Sequence, residues 1–341
     1  MTSQALGRLG AGPVGAGARR DEVPALAPRD QLVNVLEYEA QARWSLSSGA
    51  FAPIAGGERA SFDRITLRPR MLSPAVDLDL GLTLFGENLF APILVGPVAN
   101  QARFHAEGER ATLTGASAAN AVVVLSSRSS VPLPELLAKA ATPVWYQVFA
   151  SDAAASSQVA AAVKAGCRVI CVTVGVAPGA GGAWTQVSAD WATVGAIARR
   201  AGVPVVVKGV ATPADVSSAI ASGAQGLVVS NHGGLGGSRK GALILSLAAT
   251  VDAVGGQVPV LVDGSFARGT DILKALGLGA RAVMVARPVM WGLAAYGADG
   301  VKGVLEMLQT ELARYMAMCG KPTLASLDRS IVRVHAVRPG P

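Results

Sequence analysis

Four short apolar runs between residues 205 and 288 constrain the fold more than any other feature of the chain. Val205-Val206-Val207 ends in Lys208-Gly209, and Leu227-Val228-Val229 ends in Ser230-Asn231-His232-Gly233-Gly234. Val260-Leu261-Val262 ends in Asp263-Gly264-Ser265, and Ala282-Val283-Met284-Val285 ends in Ala286-Arg287-Pro288. The runs lie roughly 20 to 33 residues apart, with Ala/Leu/Ile-rich helical stretches between them, which is the rhythm of βα units in a parallel sheet. Lys, His and Arg at the carboxyl ends of successive strands converge on one face of an α/β fold, the (β/α)8 TIM barrel. That is the face where such barrels carry their chemistry.

The same rhythm runs upstream. Strands are expected at residues 91–96, 122–125, 144–149 and 169–174, then at 203–208, 226–230, 258–262 and in the run from 282. Helices are expected at 107–119, 133–140, 152–166, 188–200, 213–222, 243–254, 270–278 and 291–319, the last broken near Gly297-Ala298. Asp152 reads as an N-cap with Gly166 at the helix end, and Thr212-Pro213 as a cap followed by proline in the first turn. Ahead of the barrel, residues 30–44 predict an N-terminal helical extension capped by Asp30, with Leu32, Val35, Leu36 and Ala40 on one face. A loop (47–57), an extended stretch (62–71) and a hairpin (78–89) follow. Arg68 and Arg70 read either as a cation pair beside a stiff turn or as surface residues. Residues 30–330 thus form one barrel domain, between a disordered Gly/Ala/Pro-rich tail (1–29) and a C-terminal tail (331–341). The first tail has no apolar core of a secretory signal.

Composition excludes several classes. At 51% hydrophobic and 16% charged, the chain is lean in charge, as helices on both faces of a buried sheet require. No apolar run approaches the ~18 residues of a membrane span. The net charge of +7 comes from scattered residues without a Lys/Arg block, so no nucleic-acid partner is expected, and the basic balance favours anionic ligands. Three cysteines make no disulfide framework and point to a reducing, cytoplasmic setting. Cys167 and Cys171 should share one strand face as buried thiols.

Four strand ends hold the chemistry. A lysine at the end of an all-apolar strand needs an anion, so Lys208 meets either a ligand that carries negative charge or a structural partner such as Asp263. His232 stands among glycines that let backbone approach a flat ligand, and its ordinary pKa suits a general base. Asp263, Ser265 and Arg287 lie where barrels commonly bind phosphate, with Arg268 available to assist; the alternative is an ion pair to Asp263. Gln147, polar within a buried strand, is either a ligand contact or part of a core network.

The motifs Leu67-Arg68-Pro69-Arg70, Gly108-Glu109, Leu125-Ser126-Ser127, Val207-Lys208-Gly209, Ser230-Asn231-His232-Gly233-Gly234 and Arg268-Gly269-Thr270-Asp271 with Lys274-Ala275 resemble those of the FMN-dependent 2-hydroxy-acid oxidases and dehydrogenases. The similarity runs from about Glu37 to about Ser330. It implies FMN across the barrel mouth, with backbone at Val98 and Ala99 and the side chains of Ser126, Gln147 and Thr173 around its ring. Lys208 would stand at the N1/C2 edge. Ser230, Asp263, Ser265, Arg268 and Arg287 complete the implied cofactor set. His232 would take a proton from the substrate while a hydride equivalent reaches flavin N5. A homo-oligomer is the expected assembly.

The departures from the family pattern concentrate on the substrate carboxylate. Leu235 stands where the family has an arginine, Phe149 where it has a tyrosine, and Gly175 where it has an aspartate that orients the histidine. Phe51-Ala52-Pro53-Ile54 offers no tyrosine, and Gly179-Ala180-Gly181-Gly182 no arginine. Ala267 replaces an arginine and Ala286 a glycine of the phosphate site. Thr173 and Lys208 are only 35 positions apart, so the segment that covers the family's site is cut down and the pocket should be more open. Arg128 is a candidate replacement cation, as are Arg239 and Lys240. Three readings follow. The first is an oxidoreductase for a larger, carboxylate-masked or carrier-bound substrate. The others are a catalytically silent flavin-binding or assembly subunit, and a conventional 2-hydroxy-acid oxidase with a rebuilt carboxylate site.

Overall fold

A computed structural model of the chain describes residues 26–70, 77–179, 184–237 and 243–336. The barrel strands are β1 (Ile93–Val95), β2 (Val123–Ser126), β3 (Val144–Phe149), β4 (Ile170–Thr173), β5 (Val205–Val210), β6 (Gly226–Val229), β7 (Val260–Asp263) and β8 (Ala282–Val285). All pair in parallel and in chain order, and β8 returns to β1 to close the barrel. Helices lie between successive strands, as the (β/α)8 reading requires.

The barrel interior explains the location of the polar residues. Leu94, Val124, Trp145, Cys171, Val206, Val228, Leu261 and Met284, one per strand, pack together inside it. Side chains alternate along a strand, so the residue two positions later faces the same way. On or just beyond β2 to β7 those residues are Ser126, Gln147, Thr173, Lys208, Ser230 and Asp263, all polar. A single periodicity therefore lays an apolar plug with a polar belt above it, at the carboxyl ends. Below, the hairpin Leu82–Leu84/Glu87–Leu89 sends Leu84 and Leu89 into the same interior cluster. Phe85 at its tip meets Trp145 edge-on at 5.5 Å.

Several local expectations are corrected. The first long helix is Val35–Ser45, capped by Asn34, whose Oδ1 accepts from the Leu36 N–H. Glu37 reinforces that start by accepting from the Val33 N–H, while Asp30 sits apart in the 3-10 turn Arg29–Gln31. The expected loop at 47–57 contains a helix, Ser48–Phe51, and a 3-10 turn, Ala52–Ile54. Within 62–71, Phe62 belongs to the helix Ala60–Asp63, and Ile65–Leu67 is a strand. That strand pairs antiparallel with Val332–Val334, inside the stretch read as a tail. Arg68 and Arg70 are exposed. Asp152 does not cap the helix Ala155–Lys164, because its carboxylate is held by Arg128 and by the Ala154 N–H. Cys171 faces the barrel interior and Cys167 the outer core, since Cys167 lies in the turn before β4 where the two-residue period has not begun. Both are free, and burial pushes both thiols up to about 12. Thr212 caps its helix as expected, with Asp215 completing a capping box, and Tyr296 and Gly297 break the last helix, Arg287–Met318.

Candidate active site

A cavity of about 380 Å³ opens at the carboxyl ends of the strands. Ser126, Gln147, Thr173, Lys208, His232, Asp263, Ser265 and Arg287 all line it, with Val98 and Ala99 from the loop after β1, Arg128 from the turn after β2 and Phe149 from β3. Residues spread over 190 positions of sequence thus face one space, because every strand delivers its end to the same rim.

The polar belt is internally hydrogen-bonded, as burial demands; an unmet buried donor or acceptor costs about 1–3 kcal/mol. Ser126 Oγ donates to Gln147 Oε1, and Gln147 Nε2 donates to Thr173 Oγ1, each at 2.9 Å. Lys208 Nζ donates to Ser230 Oγ at 2.9 Å and lies 2.5 Å from Asp263 Oδ2; Ser230 Oγ in turn donates to Asp263 at 3.0 Å. Of the two readings of Gln147 the core network is present, and the side chain also lines the cavity. For Lys208 the structural partner, Asp263, is present, and the ammonium still borders the open space. Burial pushes the Asp263 carboxyl up, but the Lys208 ammonium and the hydrogen bonds from Lys208 and Ser230 outweigh it and hold the group below the usual range.

His232 opens a 3-10 turn, His232–Gly237, with left-handed backbone (φ 54°) fixed by its N–H donating to Ser230 Oγ at 3.1 Å. Histidine is among the residues that tolerate this region. The Nε2 edge lies against two glycines. A Cβ on Gly209 would come within 2.8 Å of it and within 2.4 Å of the Val174 carbonyl, and one on Gly175 would lie 3.7 Å from it. Gly209 is therefore a requirement of packing. Burial and the Lys208 charge push the imidazole down to about 3, while Asp263 and the Val174 carbonyl act the other way. The ring is neutral at neutral pH. Gly175 stands beside the ring where a carboxylate would have raised its basicity.

Other candidates separate. Ser230 acts through Lys208, Asp263 and His232 and does not line this cavity. Arg268 does not line the cavity: its Nε and Nη2 are held by Glu311 at about 3 Å, rather than by Asp263. Arg287 donates to Ser265 Oγ at 2.9 Å. Arg128 reaches the rim but is paired with Asp152 at 2.8 Å. Arg239 and Lys240 lie outside the described residues, as does the side chain of Leu235.

The shortened segment after β4 is a hairpin, Val176–Pro178 with Trp184–Gln186. Trp184, Val176 and Pro178 line the cavity, and Trp184 packs on Phe149 with ring centroids 5.4 Å apart. Sequence reasoning missed this aromatic wall, the rim residue Arg103, and the contribution of Pro53 and Ile54. It also missed Arg59, which donates to the Ser265 carbonyl from 206 positions away. Gly56-Gly57 was a usable signal of close approach: a Cβ on Gly57 would meet Ser265 Oγ at 2.9 Å. Among the described residues no cluster suits a metal ion, and no helix is long and apolar enough to cross a membrane.

Comparison with known proteins agrees with this architecture. The sequence profile of the FMN-dependent dehydrogenases matches residues 54–181 and 178–334. L-lactate oxidase of Roseobacter sp. (strain GAI101) is 37% identical, over 89% of this chain and 96% of that protein. Peroxisomal (S)-2-hydroxy-acid oxidase of Oryza sativa subsp. japonica is 34% identical, over 90% and 97%. Mandelate oxidase with (S)-2-phenylpropionate superimposes with a TM-score of 0.82 at 35% identity, over 90% of this chain and all of that one. A mandelate oxidase with an arginine replaced by leucine, solved with 2-hydroxy-phenylacetamide, gives 0.82 at 34%, over the same shares. With relatives matched along nearly their whole length, and the matched profile spanning the strand ends that line the cavity, this chain belongs to the FMN-dependent dehydrogenase family, and FMN is its cofactor.

Proposed function

We propose that the protein oxidises a 2-hydroxy acid derivative, larger than the simplest acids or with its carboxylate masked as an ester, amide or carrier thioester. His232 is the base. The cavity suits FMN: backbone at residues 97–99 offers a wall free of bulky side chains, Gln147 and Lys208 offer donors in the belt, and Ser265 and Arg287 form a hydrogen-bonded pair closed over by Gly57. Val98, Ala99, Ser126, Gln147, Thr173 and Lys208 would hold the ring, and Ser265 and Arg287 the phosphate. Bound FMN supplies the acceptor for the hydride equivalent that leaves the hydroxyl-bearing carbon. The proton goes to the neutral imidazole of His232, and the alcohol becomes a carbonyl. The imidazolium so formed is opposed by Lys208 and favoured by Asp263 and the Val174 carbonyl.

One observation carries the substrate reading. In the cavity that His232 lines, the wall from β3 and the hairpin after β4 is Phe149 against Trp184, both aromatic, and the guanidinium of Arg128 is committed to Asp152. A charged hydrogen bond contributes about 1.5–3 kcal/mol, so a free carboxylate gains little here while an apolar or aromatic group is well received. That a related mandelate oxidase has been solved with 2-hydroxy-phenylacetamide, an amide of this class, supports the reading. Purified holoprotein should therefore bleach anaerobically at least about tenfold faster with 2-hydroxy-phenylacetamide or methyl mandelate than with mandelate or lactate. Equal or faster bleaching by the free acids would overturn the masked-carboxylate reading. Bound flavin that none of them bleaches would favour the silent subunit.

The lowered His232 pKa gives a second expectation. A base must be deprotonated, so the acid limb of kcat/KM should lie below pH 5, with a flat profile from pH 5 to 8. Gly175→Asp places a carboxylate beside the ring and should move that limb toward neutrality. An unshifted limb in that variant would show that His232 is not the titrating base. Left-handed backbone at Gly175 (φ 84°) makes the variant less stable by about 1–2 kcal/mol.

A further inference from the structure

We propose that Arg59 is a positioning residue for the FMN phosphate, acting from the N-terminal extension through the loop after β7. Its Nη1 donates to the Ser265 carbonyl at 3.0 Å and to Asp271 Oδ2 at 2.7 Å, and its Nη2 lies 3.4 Å from Asp271 Oδ1. Asp271 is buried, and the same Oδ2 accepts from the Ala267 and Arg268 N–H groups. One carboxylate thus gathers the backbone of the loop from below, and one guanidinium joins that carboxylate to the carbonyl of Ser265. Ser265 lines the cavity and takes the Arg287 hydrogen bond.

Charge gives the arrangement its meaning. Around this loop Arg268 is committed to Glu311 and Lys208 to Asp263, and Lys274 Nζ is directed to the Phe62 carbonyl at 2.9 Å. Arg59 neutralises Asp271, and Arg287 then stands as the positive charge facing a phosphate monoester. Without Arg59, a buried carboxylate would sit directly behind the loop and oppose the dianion. The rest of the segment holds the guanidinium in register: Phe62 packs edge-on against Phe266 at 5.4 Å, and Gly57 closes over Ser265 and Arg287.

The test compares FMN with riboflavin, which lacks the phosphate, by fluorescence titration of the full chain stripped of flavin. Arg59→Ala should weaken FMN at least tenfold and riboflavin less than twofold. Arg59→Lys, which keeps the charge but loses the fork, should fall between, and it keeps the test open if the alanine variant does not fold. Ile65→Val, which thins the core beneath the strand that follows without changing charge, should lower Tm and leave the FMN-to-riboflavin ratio unchanged. Equal losses for both flavins would reduce Arg59 to a structural clasp, and unchanged FMN affinity would remove the role altogether. Neither outcome depends on which substrate the enzyme oxidises.

Discussion

Replacing His232 with alanine should lower turnover by about 10²–10⁴-fold, the usual range for loss of a positioned base, with FMN still bound. The ring is the only imidazole lining the cavity among the described residues, and it is neutral there. Alanine tolerates this left-handed backbone less well than histidine does, a difference that a loss of activity by itself does not separate from chemistry. His232→Asn separates the two, because asparagine tolerates that backbone. Both variants should lose turnover alike and retain the flavin absorbance. Near-normal turnover in either would take the base role away from His232.

Lys208→Met should be the most disruptive single change in the belt. It leaves Asp263 without its ammonium partner, and breaking such a buried pair costs about 3–5 kcal/mol. The loss has a pH signature. Without Lys208 the strongest influence holding the carboxyl down is gone, burial is opposed mainly by the Ser230 hydrogen bond, and the pKa in the folded state rises. The penalty is then absent below the unfolded pKa, near 4, and grows as pH rises through the raised value. Adding Asp263→Asn should restore most of the stability seen in denaturant unfolding. It should not restore flavin binding or reduction if Lys208 also serves the ligand. A Lys208→Met protein as stable as the parent at pH 7 would show that the pair contributes nothing to the fold. Full recovery of flavin affinity in the double variant would show that Lys208 matters only through Asp263.

The barrel and its mouth were legible because both obey one short-range rule. Short continuous apolar runs, followed by Lys208, His232 and Asp263, place those residues at strand ends whatever the rest of the chain does. What sequence could not supply was pairing across long separations. Arg268 looks free until Glu311, 43 positions away, is seen to hold it, and Arg128 looks free until Asp152 is seen. Arg59 carried no signal apart from the two glycines before it. Local choices between equivalent caps also escaped: Asp30 and Asn34 are both good N-caps, and the tie was broken by Glu37, which supports Asn34 alone. The shortened segment after β4 was read as a loss of cover, yet its Trp184 supplies a wall that no spacing rule announces.

The antiparallel pairing of Ile65–Leu67 with Val332–Val334 has a kinetic consequence. It joins stretches more than 260 residues apart, so that contact closes only after nearly all of the intervening chain has been made and folded, and such distant contacts are the slow ones. The short helix bearing Phe62 and the loop bearing Arg59 immediately precede the first of those strands. During synthesis the barrel can therefore assemble while the segment proposed to position the phosphate is still unfastened. On that proposal, capture of the cofactor is expected late in maturation, after Val332–Val334 has been made.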